Sequence, residues 1–212
     1  MKFILSILFV FLLAVPSASA QHRKKNASRQ FDFELRGGIN LCQIDGDASA
    51  NYSKIGFHGS VGTSFPVSDD DLWRFVVEIG VSQKGSRIEN SSLDRHISLL
   101  YVEVPLMIAR DMLNESKLRL AAGVAPAILA TANVTTDGAY DNLQSDNYKR
   151  MDRLPICLSA RYRFSQNIGA DLRFYNSMLN IAIENGSGTY RIFRSNKGQF
   201  SRLIQAGITL NF

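Results

Sequence analysis

The sequence predicts an all-β protein, an eight-stranded antiparallel up-and-down transmembrane β-barrel with long outer loops and short periplasmic turns. Three observations lead to this prediction. The chain opens with an export signal, apolar and polar residues alternate from residue 31 to the end, and long and short connections alternate between the segments. A period of two indicates strands with two unlike faces, and an even number of hairpin-connected strands is typical of outer-membrane barrels.

The first twenty residues have the pattern of a cleaved signal peptide. Lys2 precedes an apolar run at 3–15 that is too short to span a bilayer, and Pro16 ends it. Ala18-Ser19-Ala20 is a small-x-small cleavage sequence, so the mature protein is expected to begin at Gln21. No later segment is long and apolar enough for a membrane helix, which leaves a soluble exported protein or a barrel. The predicted organisation is a signal peptide at 1–20, a basic N-terminal tail at 21–30 and an outer-membrane β-barrel domain at 31–212.

The composition fits one ordered domain and argues against nucleic acid as a partner. Hydrophobic residues make up 45% of the chain, charged residues 20%, and the net charge is +5. The basic run Arg23-Lys24-Lys25 lies in the predicted tail and has no folded basic motif beside it. We therefore interpret it as a solvated tail.

Eight segments alternate between apolar and polar residues, and each is close to the length that a tilted membrane strand needs. They are 31–42, 55–65, 72–83, 99–109, 117–128, 153–164, 167–176 and 200–212. The connections between them contain 12, 6, 15, 7, 24, 2 and 23 residues in chain order. This alternation predicts outer loops and periplasmic turns, with both mature termini in the periplasm.

The polar face is predicted to line the lumen. Most strand glycines lie on that face, where the lumen of an eight-stranded barrel needs small residues; they are Gly38, Gly56, Gly62, Gly80, Gly123, Gly169 and Gly207. Acids and bases share the same face and are predicted to form a lumen charge network: Asp32, Glu34, Arg36, Arg74, Glu78, Glu103, Arg119, Arg161, Arg163, Asp171 and Arg173. Because unpaired buried charge is costly, we expect Glu78 to pair with Arg74 and Glu103 with Arg119. A proton or ion path is the functional alternative for these acids.

Aromatic residues of the apolar face gather at the strand ends, as in the girdles at the two interfaces of a membrane barrel. The predicted periplasmic girdle contains Phe31, Phe33, Phe65, Trp73, Phe75, Tyr162, Phe164 and Phe212. Phe57, Phe174 and Phe200 are expected at the outer rim. Phe212 would be the barrel-closing C-terminal aromatic, on the strand that pairs with the first strand. A soluble β-sandwich, with its aromatics in the core, is the alternative.

Several motifs resemble those of the PorT-like, "porin family" outer-membrane β-barrel proteins of Bacteroidota. They are Gly37-Gly38-Ile39-Asn40, Gln43 to Asp47, Tyr52 to Phe57, Tyr101 to Met107, and the ending Gly207 to Phe212. The resemblance spans residues 31–212 and implies an eight-stranded barrel in the outer membrane of a Gram-negative bacterium. It implies no single activity. The fifth strand departs from the family's pattern, because Gly123 and Pro126 are separated there.

Residues for catalysis or metal binding are sparse. Asp94-Arg95-His96, with Ser92 as nucleophile, would be a loop-borne catalytic site, but solvated loop residues are the interpretation we favour. No two histidines have zinc-ligand spacing, and the stretch 44–51 lacks the glycine and glutamate of a calcium loop. Cys42 and Cys157 lie on strands that are not neighbours and are expected to be unpaired. We predict no enzyme activity, no cofactor and no metal.

Recognition is expected at the outer loops. Loop three, 129–152, carries Asp137, Asp141, Asp146, Asp152, Tyr140 and Tyr148. Loop four contains a predicted hairpin at 180–193, and its cations Arg191, Arg194 and Lys197 would face loop three's acids, lipopolysaccharide phosphates, or solvent.

The predicted function is therefore that of a monomeric, non-enzymatic barrel with a side-chain-filled lumen and a structural, loop-mediated binding or secretion-accessory role. Its predicted partners are outer-membrane lipid, the barrel-insertion machinery, and an envelope or secretion-system protein. The alternatives are a barrel enzyme that acts on lipid or peptide and a soluble, exported lipocalin-like carrier.

Overall fold

The computed structural model describes residues 31–45, 52–68, 72–90, 93–112, 117–140, 147–183 and 198–212. Within these ranges no helix has the length and hydropathy to cross a membrane. The strands are β1 (Asp32–Asp45), β2 (Lys54–Pro66), β3 (Trp73–Asn90), β4 (Leu93–Glu103), β5 (Leu106–Met112), β6 (Leu118–Val124), β7 (Ala127–Thr136), β8 (Ala139–Tyr140), β9 (Met151–Asp152), β10 (Pro155–Arg163), β11 (Ile168–Ser177) and β12 (Phe200–Asn211).

The strands close into an antiparallel barrel of eight. β1 pairs with both β2 and β12, so the first and last strands seal the wall. β4 and β5 both pair with β3, so together they form one barrel strand. β6 pairs with β5 and β7 pairs with β4, so β6 and β7 form the next barrel strand. β9 pairs with β7 and β10 pairs with β6, so β9 and β10 also form one barrel strand. The predicted fold class is confirmed.

Two prolines divide the central barrel strands. Pro105 separates β4 from β5, and Pro126 separates β6 from β7, because proline has no N–H for the ladder. Their carbonyls still accept hydrogen bonds across the wall, from Glu78 N at 3.0 Å and from Val104 N at 2.9 Å.

The predicted 15-residue connection at 84–98 is wrong, because β3 continues to Asn90 and β4 begins at Leu93. At 18 residues, β3 exceeds the roughly 9–11 residues that cross a membrane. Much of predicted loop three is also strand. β7 runs to Thr136 and turns at Asp137 and Gly138, whose φ angles of 52° and 78° suit the two-residue turn of a tight hairpin.

The apolar face points outward along the membrane-crossing part of the wall, as predicted. Ile55, Ile208 and Leu172 are 70%, 61% and 56% exposed. The inward glycines make room for the charged side chains. A Cβ on Gly62 would lie 2.5 Å from Glu78 Cγ, which is too close for an ordinary contact.

The interior also contains two apolar clusters, which the sequence did not lead us to expect. The first includes Cys42, Cys157 and Met107, and both cysteines are free and buried. The second lies at the outer end and contains Ile44, Ile97, Leu99, Tyr101, Ala127, Val134, Tyr148 and Ile181. Hydrophobic packing therefore stabilises the inside of the barrel together with ion pairs.

The residues of the predicted periplasmic girdle lie at the rim. Phe31, Phe33, Trp73, Tyr162, Phe164 and Phe212 are exposed, and Phe65 and Phe75 are half-buried. The Phe65 ring contacts those of Phe31 and Phe75, with centroids 5.8 and 5.5 Å apart. Phe200 departs from the prediction for the outer rim. It is 1% exposed, and Gly198 lies beside its ring.

Candidate functional site

The lumen holds its charged side chains in tiers, and the lowest tier lies at the periplasmic end. Arg119 donates two hydrogen bonds to Asp111, at 2.5 and 2.9 Å. Arg74 pairs with Asp32 at 2.9 Å, and Asp32 also lies 3.7 Å from Arg119. Two arginines and two aspartates therefore form a neutral group.

The middle tier is a continuous chain of buried ion pairs. Arg173 donates to both carboxylate oxygens of Glu78, at 2.6 and 2.8 Å, and to Asp171 at 2.9 Å. Arg36 donates to the same Asp171 oxygen at 2.5 Å. Arg161 forms a two-pronged pair with Glu34, one contact being 2.6 Å.

The middle tier is neutral, since it contains three arginines and three acids. The bidentate pairs keep buried charge tolerable, because both carboxylate oxygens of Glu78 and of Glu34 have donors. Asp171 accepts from two arginines at one oxygen, Oδ2, and its Oδ1 has no donor among the described residues. Arg36 also donates to Gln205 at 2.7 Å, which connects the charges to a neutral polar network. Gln205 and Asn40 both donate to Ser82, and Asn40 contacts His58.

A third polar tier lies nearer the outer end. Lys84 pairs with Glu103 at 2.6 Å, and its ammonium lies 4.8 Å from the centre of the Tyr101 ring. Asp152 accepts a hydrogen bond from Ser177. Lys84, Glu103 and Asp152 are all at most 4% exposed, so this tier is also closed to water.

Little space remains between the tiers. Beside His58, Glu78 and Glu103 lies a cavity of about 10 Å³, which is about the volume that one water molecule needs. A lumen filled in this way is typical of the smallest membrane barrels.

The two pairings predicted from the sequence are replaced by others. Glu78 binds Arg173 instead of Arg74, and Glu103 binds Lys84 instead of Arg119. Neighbours in the lumen come from strands that are far apart in the sequence, so the partner of a given acid depends on the register of the closed wall.

Two charged members, Lys84 and Asp111, were missed. Asp152 was predicted as an acid of outer loop three and instead lies buried on β9, in the third tier. Lys84 and Asp111 each lie just beyond the end of a predicted strand, and the alternation that includes Glu78, Gly80 and Ser82 continues to Lys84. Extending the pattern by one step would have found Lys84. Arg163 faces the periplasmic end and is half-buried.

The suspected catalytic group does not lie on a loop. Asp94 and His96 are exposed on β4, in the part of the sheet that extends beyond the membrane-crossing residues, and Ser92 lies outside the described residues. The pKa of His96 is held below its ordinary value by partial burial and by the cations Lys54 and Arg87. Asp94 N instead donates to the Asp137 carboxylate at 3.1 Å.

The predicted loop residues divide between buried and surface positions. Tyr148 is buried and pairs with Ala182, so the stretches around these two residues meet. Asp137 is in the hairpin turn and Tyr140 is 55% exposed. Outside the described residues lie Asp141, Asp146, Arg191, Arg194 and Lys197. Across the described ranges, no group of three or more His, Cys, Asp or Glu residues is placed to hold a metal ion.

The fold of this chain is similar to those of several solved proteins. The attachment invasion locus protein Ail of Yersinia pestis, solved with the heparin analogue sucrose octasulfate, has a TM-score of 0.52 at 11% identity, covering 86% of this chain and 99% of Ail. Neisserial surface protein A has a TM-score of 0.49 at 13% identity, covering 85% and 97%. OprG from Pseudomonas aeruginosa has 0.43 at 13%, covering 87% and 97%.

Residues 19–182 match the family model described as "Outer membrane protein beta-barrel domain". The chain belongs to this family. No curated protein matches it. The family and the fold together assign the chain to the outer membrane of a Gram-negative envelope, with membrane lipid around the wall.

Proposed function

We propose that this chain is a monomeric outer-membrane barrel whose lumen is permanently filled and conducts no ions, and which works as a structural element or as a binding surface. The observation that carries this proposal is the middle tier. Arg173, Glu78 and Asp171 have side chains at most 1% exposed and bind one another across the lumen. An ion would have to break these pairs, each of which holds buried charge, in order to pass.

Single-channel recording in planar bilayers tests the filled lumen. The wild-type protein should insert without stable conductance steps. The matched control replaces Arg173 and Glu78 together by alanine, which removes two large side chains and keeps the tier neutral. That variant should give small, measurable steps if the tier is the barrier. Large stable steps from pure wild-type protein would contradict the proposal.

The proposal includes the absence of catalysis. Asp94 and His96 lie on an exposed strand face, and Asp94's backbone contact is with Asp137. Acyl-transfer and peptide-hydrolysis assays with the folded protein in lipid vesicles should give background rates. Activity above background that Ala substitution of both Asp94 and His96 abolishes would establish an enzyme instead.

A role as an accessory in the envelope of Bacteroidota, of the PorT-like kind, is the more specific form of the proposal. It is supported by the motif resemblance and by the outer extension of β3, β4 and β7, which offers a large surface for a partner. Crosslinking in intact cells, followed by mass spectrometry, should capture an envelope protein through sites on that extension. Crosslinks to lipid alone would favour a structural role.

The same proposal requires export and assembly. We propose that a signal peptide is removed after Ala20 and that the barrel-insertion machinery recognises the C-terminal strand. Phe212 is 77% exposed, and its N–H donates to Phe33 O at 2.9 Å, so the last residue is paired with β1. N-terminal sequencing of the mature protein should read from Gln21. Deletion of Phe212 should lower the amount of heat-modifiable, inserted barrel.

A further inference from the structure

The lipid-facing wall contains a largely apolar groove of about 650 Å³. The groove follows two neighbouring rows of paired residues across the strands. One row contains Trp73, Arg110, Leu120, Ala160 and Leu172, and the row above it contains Ile108, Ala122, Leu158, Phe174 and Ile204.

The floor of the groove is made by two alanines. Ala122 lies between Ile108 and Leu158, and Ala160 lies between Leu120 and Leu172. Each small side chain is thus flanked by two large ones, which stand as walls on either side. The groove is therefore a depression between bulky apolar side chains.

The groove rises from the periplasmic rim to about the middle of the membrane. Its lower end is at Trp73, the first residue of β3, and its upper end includes Phe174. Phe174 lies six residues along β11 from Ile168, its periplasmic start. At about 3.3 Å per residue and a strand tilt of about 40°, that is a rise of about 15 Å, or one leaflet.

A cation stands at the lower end, at the level of the headgroups. Arg110 is exposed on the lipid-facing side, and its guanidinium carbon lies 5.3 Å from the centre of the Trp73 ring. Among the described residues Arg110 has no carboxylate partner. Stacking on an aromatic ring orients a guanidinium and leaves its N–H edges available, and these edges match the oxygens of a phosphate.

We propose that the groove is a binding site for one phospholipid of the periplasmic leaflet, with an acyl chain on the alanine floor and the phosphate on Arg110. Two observations favour a lipid. The positive charge of Arg110 complements a phosphate, and the height of the groove matches one leaflet. A second copy of the chain would bring its own Trp73 and Arg110 to the same level and set like charges together. An anionic phospholipid should be preferred, because a zwitterionic headgroup carries its own cation beside the phosphate.

The only tryptophan of the chain stands at the site, so its fluorescence reports on occupancy. The full mature protein is reconstituted in phosphatidylcholine bilayers that contain either brominated phosphatidylglycerol or brominated phosphatidylcholine at the same fraction. Quenching of Trp73 is measured against that fraction. Brominated phosphatidylglycerol should quench at about a five-fold lower fraction, the effect expected of one cation near an anionic lipid surface.

Two sets of variants separate the headgroup from the acyl chain. Arg110→Gln should abolish the preference for brominated phosphatidylglycerol, and Arg110→Lys should keep most of it. Lys117→Gln changes another cation at the rim and should leave the preference unchanged. Ala160→Leu fills the floor and should weaken quenching by both lipids. Ala170→Leu is the matched control, because Ala170 has the same outward orientation and lies outside the groove. Heat-modifiable migration confirms that each variant is folded.

Three results would overturn the inference. The first is equal quenching by the two brominated lipids in the wild type. The second is a preference that survives Arg110→Gln. The third is a loss of lipid quenching as the ratio of protein to lipid rises, which would show that a second copy of the chain occupies the groove. None of these results bears on conductance, so the inference and the proposed function fail independently.

Discussion

Replacement of Arg173 by methionine should destabilise the barrel more than any change at a surface cation. The side chain of Arg173 is wholly buried, and it donates three hydrogen bonds to Glu78 and Asp171. Methionine keeps most of the volume and removes the charge and all three donors. Two carboxylates then lie in the lumen with fewer partners.

The magnitude follows from what those two acids keep. Removing one partner of a buried ion pair usually costs about 3–5 kcal/mol of unfolding free energy. Asp171 retains Arg36 at 2.5 Å, and Glu78 retains only Arg161 at 4.0 Å and Ser60 at 3.1 Å. Because each acid keeps one arginine neighbour, we expect the loss of unfolding free energy to lie near the lower limit, about 3 kcal/mol.

Urea unfolding in lipid vesicles measures this loss, with Trp73 fluorescence and heat-modifiable migration as probes. Arg150→Met is the matched control, since Arg150 is exposed at the outer end, and it should change the free energy by less than about 0.5 kcal/mol. Adding Glu78→Gln to Arg173→Met should restore part of the stability, because it removes the buried carboxylate that has lost its arginine partner. A loss below about 1 kcal/mol for Arg173→Met, or no recovery in the double variant, would refute the reasoning.

Three further measurements probe the interior and the outer extension. Gly207→Ala should destabilise by about 1–3 kcal/mol in urea, because its Cβ would sit 2.9 Å from a carbonyl oxygen and a histidine nitrogen, whereas Gly37→Ala, with its nearest atom at 3.8 Å, should be close to neutral. His96 should titrate below about 6.5 in an NMR pH series. Because the folded state favours neutral His96, the free energy of unfolding should decrease as pH falls below about 6.5. A measured pKa above about 6.5 would contradict the effect of burial and of the neighbouring cations on His96. Cys42 and Cys157 should resist alkylation, followed by intact mass, until the barrel unfolds.

The membrane-crossing half of the fold could be predicted from the sequence because its signal is local. Where lipid surrounds the wall, outward residues must be apolar and inward ones small or charged, so alternation gives strand and orientation together. Leu172 outward and Arg173 inward are read directly from that rule. The eight strands followed in the same way.

The outer half could not be read by the same rule, since its polarity is reversed. On β4, Ile97 and Leu99 point inward and are fully buried, while Asp94 and His96 point outward. Above the membrane the wall stands in water, so the apolar face turns to the inside as in a soluble β-protein. The period of two persists, but its phase is opposite, and a search for lipid-facing strands interprets the segment as a loop.

The partners within the lumen were unpredictable for a different reason. Glu78 and Arg173 are 95 residues apart and meet only because closure of β1 on β12 fixes how far each strand is staggered. Alternation says that both side chains point inward, and it says nothing about their height. A shift of two residues in any one pairing would give Glu78 a different arginine.

The reversal of polarity also places the boundary of the membrane on the molecule. Below it, tiers of ion pairs fill the lumen and the outside is apolar. Above it, the cluster around Ile97 and Tyr101 forms a core of the soluble kind, and the outer face of β4 is polar. Among the described residues, the surface above this boundary includes the sheet of β3, β4 and β7.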